Sequence, residues 1–477
     1  MKIRNIFATL GMIGACMIYA GCHVPQVARK QENKEVPETY AVDQDTSNTG
    51  LVKWRDFFTD PNLAVLIDTA LKNNQELNIT LQEIEIARNE VRAKKGELLP
   101  SVGYRAGVGI DKAGRYTSQG AGDASTEITP GKKVPDYLGD FIVGVNANWE
   151  VDIWNKLHNA KDAEVDRYLS TIEGKNFVLS NLIAEVANSY YELLSLDYQL
   201  DIVKQNIALQ KNALEIVKVQ KQAARATELA VQKFEAEVKS TQSREFEIRQ
   251  SIKETENRIN FLLARYPQPI ARKEAGFMDL PLAPVSTGVP SQLLANRPDI
   301  RQAELELAAS KLDVKVARAQ FYPSFDISAM IGFNAFNPSY LVKFPESLIT
   351  SLVGDLAGPL INKNAIKAQY LTANARQLQA VYNYERSILS GYIEVANQLS
   401  NISNLQQTFE QKQEQVKVLN KSVDVSNALY KAARADYLEV LTTQRDVLEA
   451  RLELAETKKN QLSAVVNIYK DLGGGWR

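Results

Sequence analysis

The sequence predicts a mainly α-helical chain that also carries membrane-type β-strands, with the whole pattern written twice. Three observations predict this. Two long proline-free stretches place apolar residues every seven positions, four segments alternate apolar and polar residues, and "AARA" at 223–226 recurs at 432–435.

A chain of 477 residues, 45% hydrophobic and 24% charged, can bury substantial cores and is too long to be presumed a single compact domain. Its 56 basic and 57 acidic residues give a net charge of -1, so no bulk charge points to nucleic acid. The start reads as an export signal: "MKIRN" is basic, "IFATLGMIGACMIYA" is an apolar run too short for a comfortable membrane span, and "AGC" ends at Cys22. Cleavage before Cys22 and acylation of that cysteine are expected, giving a signal peptide over 1–21 and a lipid-anchored extended segment over 22–60. "IGAC", ending at Cys16, is the alternative. With Cys16 and Cys22 the only cysteines, and His23 and His158 far apart, no disulfide, catalytic residue, metal or cofactor is expected. Carboxylate pairs such as Glu83 and Glu85 read as solvated helix faces.

Prolines divide the remainder. None lies between Pro135 and Pro267 or after Pro359, whereas Pro267, Pro269, Pro281, Pro284 and Pro290 crowd one stretch. That stretch is a linker, 266–291, between a first repeat, 61–265, and a second, 292–472, followed by a tail, 473–477. Besides AARA, "ELLPSVGYRAGVGI" at 97–110 matches "QFYPSFDISAMIGF" at 320–333, and "IWNK" at 153–156 matches "LINK" at 360–363.

In the first helical stretch Leu179, Val186, Leu193, Leu200, Ile207 and Leu214 fall seven apart. In the second, Ile388, Val395, Ile402, Phe409, Val416 and Val423 do the same in register. Positions three residues on are mixed, with Leu182, Leu196, Val203 and Val217 but also Ser189 and Gln210. The spacing predicts coiled-coil seams, with ordinary amphipathic bundle helices as the alternative.

Strands are expected at about 98–112, 140–154, 322–335 and 347–361. Val102 to Ile110, Phe141 to Ile153, Phe325 to Phe333 and, more weakly, Leu348 to Leu360 each place apolar residues on one face. A soluble half-buried sheet has the same pattern. In a membrane, four strands are too few to close around a channel, and an open edge is not tolerated in lipid, so three chains would contribute twelve strands. Phe141, Trp149, Trp154, Phe321 and Tyr322 are candidates for the membrane boundary, with core packing the equal alternative for each. From each strand region to the next AARA the chain runs about 70 residues, roughly 100 Å of helix, so AARA marks the far tip where each long helix turns back.

The signal with Cys22, "NRPDIRQAELELAASKLDVKVARAQFYPS" at 296–324, "WEVDIW" at 149–154 and "DYLEVLTTQRDVLEARLEL" at 436–454 resemble the TolC-like outer-membrane efflux factors, in the lipoprotein branch that partners resistance-nodulation-division pumps. The resemblance implies a homotrimer with a twelve-stranded outer-membrane barrel, four strands per chain, continued by a long periplasmic coiled-coil α-helical tunnel. It implies a passive exit duct for small molecules, not an enzyme, lipid-anchored in the outer membrane. The tips, Ala223, Ala224 and Arg225 with Ala432, Ala433 and Arg434, would meet a periplasmic adaptor and through it an inner-membrane pump. Relatives often carry glycine where Ala224 and Ala433 stand. By the same resemblance Leu438 and Arg445 line a closed periplasmic aperture. Thr442 stands where aspartate is usual, leaving Asp436 or Glu439 to supply the charge. Two other classes compete: a periplasmic adaptor or structural coiled-coil envelope lipoprotein, against which the two hairpins and four strands count, and an envelope enzyme, disfavoured by the histidine and cysteine inventory.

Overall fold

The computed structural model describes residues 24–40, 47–273, 276–359, 361–432 and 434–477. Cys16, Cys22, Leu360 and Ala433 lie outside them. Helices are α1 (Pro61–Asn73), α2 (Gln75–Glu97), α3 (Lys156–Gln222), α4 (Glu228–Leu262), α5 (Pro298–Ala319), α6 (Asn364–Lys431) and α7 (Tyr437–Asp471). The main strands are β1 (Ser101–Asp111), β2 (Leu138–Val151), β3 (Ser324–Ala335) and β4 (Leu348–Ala357). The chain forms two compact units, each drawing on both repeats. One comprises residues up to Gln31 with Ile86–Tyr168 and Leu305–Val381; the other comprises Glu32–Glu85, Leu169–Glu304 and Tyr382–Arg477.

The first unit is built on a four-stranded antiparallel sheet in the order β1-β2-β3-β4. Its register pairs Tyr104 with Val145, Val145 with Ile331, and Ala329 with Leu352, which gathers the alternating apolar residues of all four strands onto one face. That face is barest on the edge strands, where Tyr104 is 91% exposed and Leu352 78%, and half-buried over much of β2 and β3. An apolar patch of this size marks a surface that lipid or another chain covers. The other face carries Asn146, Asn148, Asp326, Ser328 and Asn334. At its centre Gly144 opposes Gly332 so closely that a Cβ on either would lie within 2.8 Å of the partner strand's backbone.

The strand-to-helix corners explain the repeated "NK". Asn155 and Asn362 both adopt left-handed backbone, φ 55° and 56°, a conformation asparagine tolerates better than other non-glycine residues. Strand β2 ends at Val151, short of the expected 154, because Asp152 leaves the ladder to cap α3. Its carboxylate accepts from the Leu157 and His158 backbone N–H groups, at 3.0 and 2.8 Å. Phe321, a candidate for the membrane boundary, is instead buried. It packs edge-on against Tyr370 with Ala317, Val24 and Val27, in the turn just after α5, where its N–H donates to the Arg318 carbonyl. Trp154 stacks on Tyr322 at 4.8 Å, and its indole N–H donates to the Pro323 carbonyl.

In the second unit the predicted seams are packed. Val186, Leu193, Ile207 and Leu214 of α3 are buried, as are Ile388 and Val395 of α6. Ile402, Phe409, Val416 and Val423 are only half-buried. The main core joins Phe58, α1, α3 through Tyr190 and Leu193, the linker through Ile270 and Phe277, and α7 through Leu462 and Tyr469. Arg297, one residue before α5 begins, is 5% exposed. It grips Asp299, Glu394 at 2.8 Å and the Asp471 carbonyl at 2.9 Å.

Candidate functional site: the helical tips and the groove beside them

Both AARA copies are turns between helices. At the first, the Ala224 N–H donates to the Lys221 carbonyl and the Arg225 N–H to the Gln220 carbonyl, while Ala224 itself is left-handed at φ 59°. This is the Schellman way of ending a helix, in which glycine is usual because a Cβ is strained there. Thr227 then caps α4 by accepting from the Ala230 N–H. At the second tip the Arg434 N–H donates to the Leu429 carbonyl, the same six-residue closure. Ala223, Ala224, Arg225, Ala432 and Arg434 are all exposed. The Tyr430 hydroxyl donates to Gln220, tying α6 to α3 beside the turns. Burial and nearby Asp436 push the Tyr430 phenol up.

Between α6 and α7, next to the second tip, lies an open groove of about 760 Å³. Asp436, Leu438, Glu439 and Thr442 line its α7 side, and Val418, Val425 and Leu429 its α6 side. Four of the five aperture candidates therefore meet in one feature. Leu438 is 51% exposed, and Val418 and Val425 are exposed as well, so the groove has an apolar strip flanked by Asp436, Glu439 and Lys421. Arg445 continues the Leu438–Thr442 face one turn further, at i+3 from Thr442. Its ion pair is with Asp446, at 3.9 Å, rather than with Asp436 or Glu439. Helix geometry explains the difference. Glu439 precedes Arg445 by six residues and points to another side of α7, and Asp436 lies more than two turns away. The α6 wall was missed in the sequence, although Val418 and Val425 stand seven apart just off the predicted seam.

Long hairpins capped by such tips, together with a membrane-type sheet whose edge strands β1 and β4 each pair on one side only among the described residues, define a protomer of an outer-membrane channel. The family model for outer membrane efflux proteins matches residues 66–265 and 289–474, and the chain belongs to that family. It is 27% identical to the pyoverdine export outer membrane protein OpmQ of Pseudomonas aeruginosa, over 100% of this chain and 98% of that protein. It is 25% identical to the probable outer membrane lipoprotein SilC of Salmonella typhimurium, over 100% and 98%. The crystal structure of CusC superposes with a TM-score of 0.81 at 25% identity, covering 94% of this chain and 99% of that one. CusC of Escherichia coli O157:H7 is a cation efflux system protein, 26% identical over 93% of each chain.

Proposed function

We propose that three copies of this chain close a twelve-stranded barrel and form a passive exit duct, which receives small molecules from an inner-membrane resistance-nodulation-division pump through a periplasmic adaptor. The observation that carries this reading is the apolar groove at the tip of the second hairpin, with Leu438 and Thr442 on its wall and Arg445 a turn beyond. Around a threefold axis the arginines repel one another unless carboxylates of neighbouring copies approach, and leucines can form a dry constriction. Pairs as exposed as these contribute at most about 1 kcal/mol each, a bias suited to an aperture that must open. In planar bilayers Arg445→Ala and Leu438→Ser each raise single-channel conductance, and together severalfold. Parental conductance in folded double-mutant trimers would place the aperture elsewhere. Cargo is left to the pump: the relatives named for pyoverdine and for cations are equally similar to this chain.

The tips are the adaptor's docking surface in this reading, because small exposed side chains admit a partner helix closely. Two substitutions at Ala224 separate docking from folding. Ala224→Gly relieves left-handed strain and stabilises the turn by roughly 0.5–1 kcal/mol, with export unchanged. Ala224→Trp leaves trimer levels normal and sensitises cells to exported compounds; unchanged sensitivity would remove this tip from the docking surface.

The lipid anchor is assigned to Cys22. Val24, two residues on, packs with Val27 against Ala317, Phe321 and Tyr370, close in the chain to the start of β3 at Ser324, which suits attachment near the strand ends. Palmitate labels the parent and not Cys22→Ser, while the trimer still assembles through its strands; label persisting in the variant points to Cys16.

A further inference from the structure

The heptad seam of α3 has a break that the channel reading leaves unused. Gln210 occupies a companion seam position and is 1% exposed, yet neither its amide oxygen nor its amide nitrogen has a hydrogen-bond partner. Gln444 of α7 is also buried, 7% exposed, with its side-chain oxygen unpartnered, as is the side-chain oxygen of Asn206. Two apolar clusters fix their level. On one side Ile202, Val203 and Ile207 of α3 pack with Ile248 of α4 and Leu448 and Leu452 of α7. On the other, Leu214 and Val217 of α3 pack with Val231, Phe234 and Val238 of α4 and with Tyr437 and Leu441 of α7. Gln210 lies between Ile207 and Leu214, Thr241 between Val238 and Ile248, and Gln444 between Leu441 and Leu448. Three helices thus place polar side chains at one level between two apolar clusters, whereas Ser189, the other buried polar companion of the α3 seam, lies three heptads away. Thr241 spends its hydroxyl proton on the Glu237 carbonyl and has only lone pairs left to offer.

Helix geometry does not require this. The displacement that carries Ala223 to Ala432 carries Gln210 to Leu419, so the second repeat fills the same heptad position with an apolar side chain. Buried amides without partners are costly, and the cost is relieved when helices part enough to admit water or to bring amides together. Gln444 sits two residues after Thr442 and directly before Arg445, so the break lies at the height of the aperture residues.

We propose that the Gln210–Thr241–Gln444 layer is a polar joint that positions the aperture segment: it holds residues 437–445 of α7 against α3 and α4 less tightly than the apolar seam on either side. The joint allows that segment to shift as a piece, with Tyr437 and Leu441 as the contact that releases. Its link to conductance rests on Leu438 and Arg445 forming the aperture, and the test keeps the two apart.

The test compares the parent trimer with Gln210→Leu/Gln444→Leu, and with Gln210→Met alone should the double variant fail to assemble. Amide hydrogen exchange over 437–445 should slow at least tenfold in the variant, and the conductance gained by Arg445→Ala should fall back towards the parent value. Unchanged exchange accompanied by higher heat resistance of the trimer would show a merely structural layer and overturn the proposal. Slowed exchange with undiminished conductance supports the joint and overturns the aperture assignment instead.

Discussion

Replacing Arg297 with alanine is expected to cost about 1.5–3 kcal/mol, the range for hydrogen bonds to charged groups, because the carboxylates left behind are partly open to water. The guanidinium is nearly inaccessible. Its two faces hold Asp299, at 3.0 and 2.7 Å, and Glu394, at 2.8 Å, while a third N–H donates to the backbone carbonyl of Asp471 at the end of α7. Alanine would leave Asp299 and Glu394 without the cation they share and a carbonyl unpaired in the interior. The Asp471 carboxyl, already pushed up by burial and held back by Lys470 and Arg297, would lose one of those two charges. Arg297→Lys keeps the charge but not the fork, so it falls between alanine and the parent. Because membrane trimers unfold irreversibly, the measurement is the fraction of trimer surviving a fixed heating step in detergent. Survival of Arg297→Ala equal to the parent would sink the assignment of this cluster as a tie between α5, α6 and α7.

Gly332→Val is expected to reduce assembled trimer by at least an order of magnitude, for a different reason. A Cβ at this position would lie 2.5 Å from the Val143 carbonyl oxygen and 2.6 Å from the Gly144 Cα, and both obstacles are backbone. Glycines facing one another across a strand pair let the sheet bend sharply towards the polar face, which a small barrel demands. Gly103→Ala is the control. It stands on the same face, and the nearest atom to its new Cβ is the Asn146 side-chain oxygen at 3.6 Å, so it should assemble normally. Heat-modifiable migration in outer-membrane fractions reads both variants. Assembly of Gly332→Val at parental levels would mean that the strands can separate at no cost.

How much of this was legible in the sequence follows the range of the interactions involved. The alternating strands and the seven-residue seams were readable because they record which face of a local element is covered. The AARA turns were readable because the motif recurs in register within two long helical stretches, and Asn155 and Asn362 because "IWNK" and "LINK" recur where strand gives way to helix. Arg297 was visible as part of "RPDI", but its role depends on Glu394 and Asp471, far along the chain, and no local pattern announces them. Gly391 shows the same limit from the other side. It breaks the second seam because a Cβ there would press on the Arg297 side chain, 3.1 Å from its Nε. For Phe321 the sequence left membrane boundary and core packing equally open, because an aromatic between a helix and a strand can face either way.

The half-open edges of β1 and β4 have a consequence for inheritance. If three chains close the sheet as proposed, every pore in a cell is a sample of three protomers drawn from a common pool. A variant that folds and joins its neighbours, but carries a faulty tip or aperture, therefore contaminates most of the pores it enters. At equal expression with the parent, only about one pore in eight is free of it under random mixing. Defects such as Gly332→Val, which keep a chain from joining at all, should be recessive. Defects confined to the far end of the helices should be dominant.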